Sequence, residues 1–342
     1  MELLKELTQA FGAPGCEGEV ADIVRREFQR CNVEVSIDTL GNVIGFKHCS
    51  GKKNEIKRIM IAAHIDEIGF IVRHIDEKGF LRLATIGGFD PFTLISQRVI
   101  ILGKGKKKLL GLLNLSSKPV HLQTKEERKR DLEVSDFFVD LGMKATQVIN
   151  EVEIGDKVIW DREFHENGDC VTCKALDNRV GVYIMIEVLK RLKSPKHDIY
   201  FVGTVQEEIG LRGATTSSYD INPDISIGID GTLALDFPGM KDEDKITELG
   251  KGVAIKVMDG MIISDPKLVS EFRVIAEKND IPHQLEILSK GGTDAAAMQR
   301  ARSGTRAITL SVPMRYVHTV NEMANKADIS GAIDLLTKYL SG

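Results

Sequence analysis

Near the N-terminus the apolar positions recur at helical spacing. Val20, Ile23, Val24 and Phe28 share one face, with charges opposite, and the first thirty residues are predicted to be helical. The period then changes. Residues 33–38 alternate, Leu40, Gly41 and Asn42 form a turn, and residues 43–46 return as a second strand. Residues 59–63, Ile-Met-Ile-Ala-Ala, are continuously apolar, which fits a strand buried on both faces of a helix-covered sheet.

Residues 69–165 have a different texture. Short apolar runs at 70–72, 80–84, 98–102, 109–115, 137–140 and 157–160 are separated by turn signals. That spacing predicts a small all-β unit. Only residues 125–130 look helical within it. Beyond residue 173 strand and helix alternate again. Helices are predicted at 176–192, 267–278, 293–301 and 327–340, and strands at 198–205, 224–229, 283–288 and 305–312. The simplest architecture is one α/β domain, residues 1–68 and 166–342, interrupted by an inserted β domain at 69–165.

Composition narrows the function. The 342 residues suit two domains. Lys plus Arg number 46 and Asp plus Glu 50, a formal net charge of −4, which argues against a nucleic-acid binder. No apolar run is long enough to span a membrane. The opening Met1–Glu6 segment has no basic n-region and apolar core, so no signal peptide is expected. Five cysteines make an odd count and a poor disulfide framework, which points to a cytoplasmic, reduced compartment.

Five places set His or carboxylates at the ends of predicted elements: His64-Ile-Asp66-Glu67, Asp177-Asn178, Glu207-Glu208, Asp230-Gly231 and His318. In open α/β sheets ligands bind beyond the carboxyl ends of the strands. Imidazole with carboxylate suits zinc and its neighbours. Two His and several carboxylates can supply two metals, which clamp the attacking and leaving oxygens of a displacement. Each piece also has a plain structural explanation. Asp177 is placed to cap a helix. His64 could be a hydrogen-bonded core residue, Asp66 and Asp230 turn residues, and Glu207-Glu208 a solvated loop. The weight lies in five such places at equivalent ends of elements.

The segments 63–69 (AHIDEIG), 175–179 (ALDNR), 206–210 (QEEIG), 228–231 (GIDG), 291–295 (GGTDA) and 317–319 (VHT) resemble, in the same order, the M42 family of dinuclear metallo-aminopeptidases. That family includes glutamyl aminopeptidases, TET aminopeptidases and proteins labelled endoglucanase M. The resemblance runs from about Leu3 to Leu340. It implies a zinc-peptidase-like three-layer α/β catalytic domain with an inserted PDZ-like small β-barrel. It implies two divalent metal ions per subunit, Zn2+ or Co2+. His64 and Asp230 would be terminal ligands of one ion, Glu208 and His318 of the other, and Asp177 would bridge them. Glu207 would be the general base, and Asp66 would orient His64. The substrate would be a peptide with a free N-terminus. The expected partners are copies of the same chain, in a dimer-based tetrahedral dodecamer, with no nucleic acid or membrane.

Three alternatives remain at this stage: a dinuclear N-deacylase or carboxypeptidase, a glycoside hydrolase, and a non-catalytic peptide-binding shell. A glycosidase built on Glu207 and Glu208 leaves His64 and His318 without a role. The Cys170–Cys173 pair is a lone CxxC without the second pair that a structural zinc needs. The run at 103–108 (GKGKKK) lacks the second half of a P-loop and is read as a basic hairpin. His121, in the insert, has no assigned role.

Overall fold

The computed structural model describes residues 1–49, 56–125 and 131–341. The helix expected at 125–130 therefore lies, save for Lys125, outside the described residues. Two helices open the chain, α1 (Glu2–Gln9) and α2 (Gly18–Arg30), rather than continuous helix. The intervening Gly12-Ala13-Pro14-Gly15 cannot continue a helix, because Pro14 lacks a donor and Gly15 takes a left-handed φ of 81°. The hairpin forms as expected. β1 (Glu34–Ile37) pairs antiparallel with β2 (Val43–Lys47) across a turn in which Gly41 has φ 111°.

An eleven-stranded sheet organises the α/β part. Its centre is β12 (Asp198–Thr204), β3 (Arg58–His64), β13 (Ile225–Leu233) and β16 (Arg306–Arg315), parallel to one another. The hairpin flanks β12 on one side. On the other side follow β17 (Glu322–Asn325), β11 (Cys170–Cys173) and β10 (His165–Asn167), paired antiparallel. β14 (Val253–Met258) branches from β16 and carries the edge strand β15 (His283–Ile287).

Helices cover both faces. Ile59, Ile61 and Ala63 of β3 pack with residues of α1, α2, α4 (Leu176–Arg191), α6 (Pro266–Lys278) and α8 (Lys326–Ser341). Met60 and Ala62, pointing the other way, pack with α5 (Arg212–Ile221) and α7 (Asp294–Gln299). Alternate side chains of a strand face opposite sides, so a continuous apolar run serves two helix layers.

The β-rich insert closes into a barrel in the order β4 (Gly69–Ile75), β5 (Leu81–Ile86), β8 (Phe137–Asp140), β7 (Lys108–Leu115), β6 (Gln97–Leu102), β9 (Lys157–Trp160). Each strand falls on an expected apolar run. Phe70, Leu81, Val99, Leu113, Val139 and Trp160 fill the interior. The seven-residue helix α3 (Ala145–Glu151) lies in the same region and was not anticipated. No helix among the described residues is long and apolar enough to cross a membrane.

Candidate metal centre

The parallel strands deliver four of the five expected places to one edge of the sheet. His64 ends β3, and Glu207 and Glu208 follow β12. Asp230 lies on β13, and His318 follows β16. The fifth, Asp177, comes from the first turn of α4. Asp177 and Asn178 depart from helical φ/ψ, and the Asp177 side chain caps nothing. The capping role passes to Asn178, whose Oδ1 accepts from Gly181 N at 3.1 Å while its Nδ2 donates to Ile229 O at 2.7 Å. The Asp177 carboxylate is thereby left free to face the cavity.

Its two oxygens face two different histidines. Oδ1 lies 3.4 Å from His64 Nε2, and Oδ2 lies 3.5 Å from His318 Nε2. Asp230 Oδ1 is 3.8 Å from His64 Nε2. Glu208 Oε1 is 3.5 Å from His318 Nε2. Two ligand-sized groups result, His64–Asp177–Asp230 and Asp177–Glu208–His318, sharing Asp177. Glu207 Oε2 stands 3.9 Å from His64 Nε2, beyond hydrogen-bond reach, and forms a further group with His64 and Glu208.

The donor set fits a divalent cation. Four carboxylates crowd two imidazoles in a largely buried site, and Asp177 Oδ1 has no hydrogen-bond partner. Burial, and then the neighbouring acids, push Glu207 and Asp230 well above the usual carboxylate range. Burial alone would lower His64, but the carboxylates of Glu207, Asp177 and Asp66 outweigh it and hold the ring well above its ordinary value. His318 is pushed up to about 12 in the same way, by Asp177 and Glu208 against burial. A cation at either group would relieve the repulsion among the acids.

Asp66 is fully buried, its backbone O lies 3.2 Å from His64 Nδ1, and its carboxylate reaches beyond His64. Its Oδ1 lies 3.4 Å from His64 Nδ1 and accepts from Glu207 N at 3.0 Å. Its Oδ2 accepts from Glu208 N at 3.1 Å. Three further groups were given no role in the sequence, although Glu67 and Asp294 lie in the segments singled out there. Glu322 bonds to the backbone of Asp177 and His318. Glu67 pairs with Lys174 and Arg179 directly behind the site. Asp294, held up to about 6 chiefly by burial, accepts from Thr204 Oγ1. Cys170 and Cys173 are unpaired and, three residues apart on β11, face opposite sides of the sheet.

The cluster floors a cavity of about 490 Å³. Its walls include Thr232, Leu233, Lys256, Leu288, Lys290 and Gly291, with Gly88 contributed by the segment after β5 of the barrel. Gly231 borders Asp177: a Cβ at this position would lie only 3.6 Å from the Asp177 carboxyl carbon and collide with Met314. A side chain there would force Met314 to move.

A sequence model of the M42 glutamyl aminopeptidase family matches residues 41–335. The chain belongs to the M42 peptidase family. The lysyl aminopeptidase of Pyrococcus furiosus is 36% identical over 350 aligned residues, spanning 99% of this chain and 96% of that protein. Among solved structures, an aminopeptidase from Desulfurococcus kamchatkensis superposes with a TM-score of 0.94 at 37% identity, covering 99% of this chain and 94% of that one. The Pyrococcus horikoshii TET1 peptidase gives 0.87 at 29% identity, covering 99% and 98%. That protein is described as able to assemble into a tetrahedron or a large octahedral shell. This M42 member shares the mixed α/β fold of those two structures from end to end.

Proposed function

We propose that this M42 peptidase is a metal-dependent aminopeptidase that removes N-terminal residues from peptides. The observation that carries the reading is the placement of one carboxylate, Asp177, between two histidines that each have a carboxylate of their own. His64 and Asp230 would hold one divalent cation, Glu208 and His318 a second, and Asp177 both. Zn2+ and Co2+ both suit this donor set. Bound cations supply an acidified water and a sink for the charge of a tetrahedral oxyanion.

The chain's own residues divide the remaining work. Glu207 sits at the cluster yet outside hydrogen-bond reach of His64, and burial strengthens its hold on a proton. Ionised by the charge of bound cations, its carboxylate would take the proton from the attacking water and return it to the departing amine. Asp66 fixes Glu207 and Glu208 by their backbone N–H groups. The cavity beyond Asp230 receives the N-terminal side chain. The likeness to TET1, together with the barrel, supports a homo-oligomer built from dimers into a dodecamer, with residues 69–165 as the assembling insert. All five cysteines are free, which supports a cytoplasmic setting.

The test is hydrolysis of a panel of aminoacyl-p-nitroanilides as purified, after chelation, and after return of Zn2+ or Co2+. Release that stops with chelator and resumes with metal is expected. Hydrolysis of acetyl-blocked peptides in preference to free amines would select the N-deacylase instead. Activity that survives chelation would defeat the metal reading.

A further inference from the structure

Three of the metal-facing side chains sit on irregular backbone: Asp177 in a distorted first helical turn, Glu208 after the end of β12, and His318 in the loop joining β16 to β17. Residues in such segments have no strand ladder to fix them. For Glu208 and its neighbour Glu207 the structure supplies a substitute, the buried Asp66 carboxylate that accepts both of their N–H groups.

Glu322 repeats the device for the other two. It opens β17 and is 2% exposed. Its Oε2 accepts from Asp177 N at 2.9 Å and its Oε1 from His318 N at 2.8 Å. The topology explains how one side chain reaches both. β17 lies beside β11, with Glu322 opposite Cys173, four residues before Asp177. β17 also returns from β16 through the loop that carries His318. We propose that Glu322 is a positioning residue, a carboxylate strap that sets the two halves of the Asp177–Glu208–His318 group at ligand distance. The inference rests on the metal-dependent reading above.

Its effect falls more on one cation than on the other. Asp177 has a second anchor next door, because Asn178 is pinned to Ile229 O and Gly181 N. His318 has no such adjacent hydrogen-bonded anchor among the described residues. Its loop is held by Thr319 Oγ1 to Tyr316 O, by Asn321 N to Thr319 Oγ1, and by apolar packing of Val317 and Val320 on either side. The His318 ring is also the more open, with 36% of its side chain exposed against 2% for His64. Replacing Glu322 by Gln keeps the shape but turns a donor toward a donor at one of the two amides.

Cation binding to the metal-free protein is the test, read by Zn2+ competition with a chromogenic chelator and by the visible spectrum of Co2+. Wild type should bind two cations. Glu322→Gln should weaken one by roughly 10–100-fold, the usual size for a group behind a ligand, and leave the other within about twofold. The weakened ion should be the one lost in His318→Ala, and Glu322→Asp should fall between wild type and Gln. Should the variants not fold, amide exchange on the wild type decides: protected N–H groups at Asp177 and His318 support the strap, and rapid exchange at His318 overturns it. Two-cation binding unchanged in Glu322→Gln, or equal weakening of both ions, overturns the strap alone. A wild-type chain that binds no cation overturns the metal reading and the strap together.

Discussion

Glu207→Gln should separate proton transfer from cation binding. The structure gives three reasons to expect cations to stay. Glu207 Oε2 is 3.9 Å from His64 Nε2, so no hydrogen bond to that ring is lost. The Glu207 N–H still donates to Asp66 Oδ1 at 3.0 Å, so the loop holding Glu208 keeps its place. Burial and the acids around it already favour the neutral form of Glu207 without metal, so a neutral isostere changes the charge of the empty cluster little. Catalysis is another matter, because an amide cannot accept the water's proton. Loss of a positioned general base costs about 100- to 10,000-fold, or roughly 2.7–5.5 kcal/mol of barrier. The assay pairs kcat and KM on an aminoacyl-p-nitroanilide with metal content by atomic emission. The expected result is kcat down by about 100- to 10,000-fold, KM within a few-fold, and metal content equal to wild type. The acidic limb of the kcat–pH profile should flatten as well. Loss of a cation in Glu207→Gln as complete as in Asp177→Ala would refute the reasoning and make Glu207 a ligand, a role its grouping with His64 and Glu208 permits.

Asp177→Ala should lose metal and turnover together. It removes the oxygen facing each histidine, so cation affinity should drop by more than the roughly 10–100-fold seen for groups behind a ligand. Adding Zn2+ to the metal-free protein near neutral pH should release protons, about two from the imidazoles, because the surrounding acids keep His64 and His318 cationic there. The sign follows from raised folded-state values. The cationic His318 contribution to metal-free stability is complete below about pH 6.5 and fades only as pH rises through about 12, so metal affinity falls as pH falls, and affinity independent of pH between 6 and 8 would refute it. Glu67→Gln should destabilise the metal-free protein by about 3–5 kcal/mol, since it strands the buried Lys174 and Arg179 charges. For a chain of this length that is a fall of roughly 4–7 °C in Tm, and a shift under about 2 °C would show that the pair of cations is neutralised elsewhere.

What the sequence made legible, and what it did not, divides along one physical line. Helix and strand alternation, the barrel strands and the six His and carboxylate residues that cluster together could be read because each depends on neighbours in sequence: an apolar run ends, and a polar group stands at its end. Elements whose stabilising partners are remote were missed. α5 is a run of Thr and Ser that reads as loop, yet Ser217 and Ser218 satisfy their hydroxyls on the carbonyls of Gly213 and Ala214, and the helix is held by packing on α7. β14 was obscured by Lys256, a charge in the middle of a strand, which is buried only because Glu286 and Asp259 meet it. The supports of the candidate metal centre follow the same rule. Glu67 finds Lys174 across 107 residues, Asp66 finds the Glu207 amide across 141, and Glu322 finds the Asp177 amide across 145. A lone acidic residue in a sequence is by default a solvated one, since burying a carboxylate without a partner is prohibitive. Only the sheet order, which places β17 beside β11 and the end of β12 beside the end of β3, brings each such acid to its donors. The candidate ligands are therefore marked locally, whereas the groups that hold them in place are defined by topology.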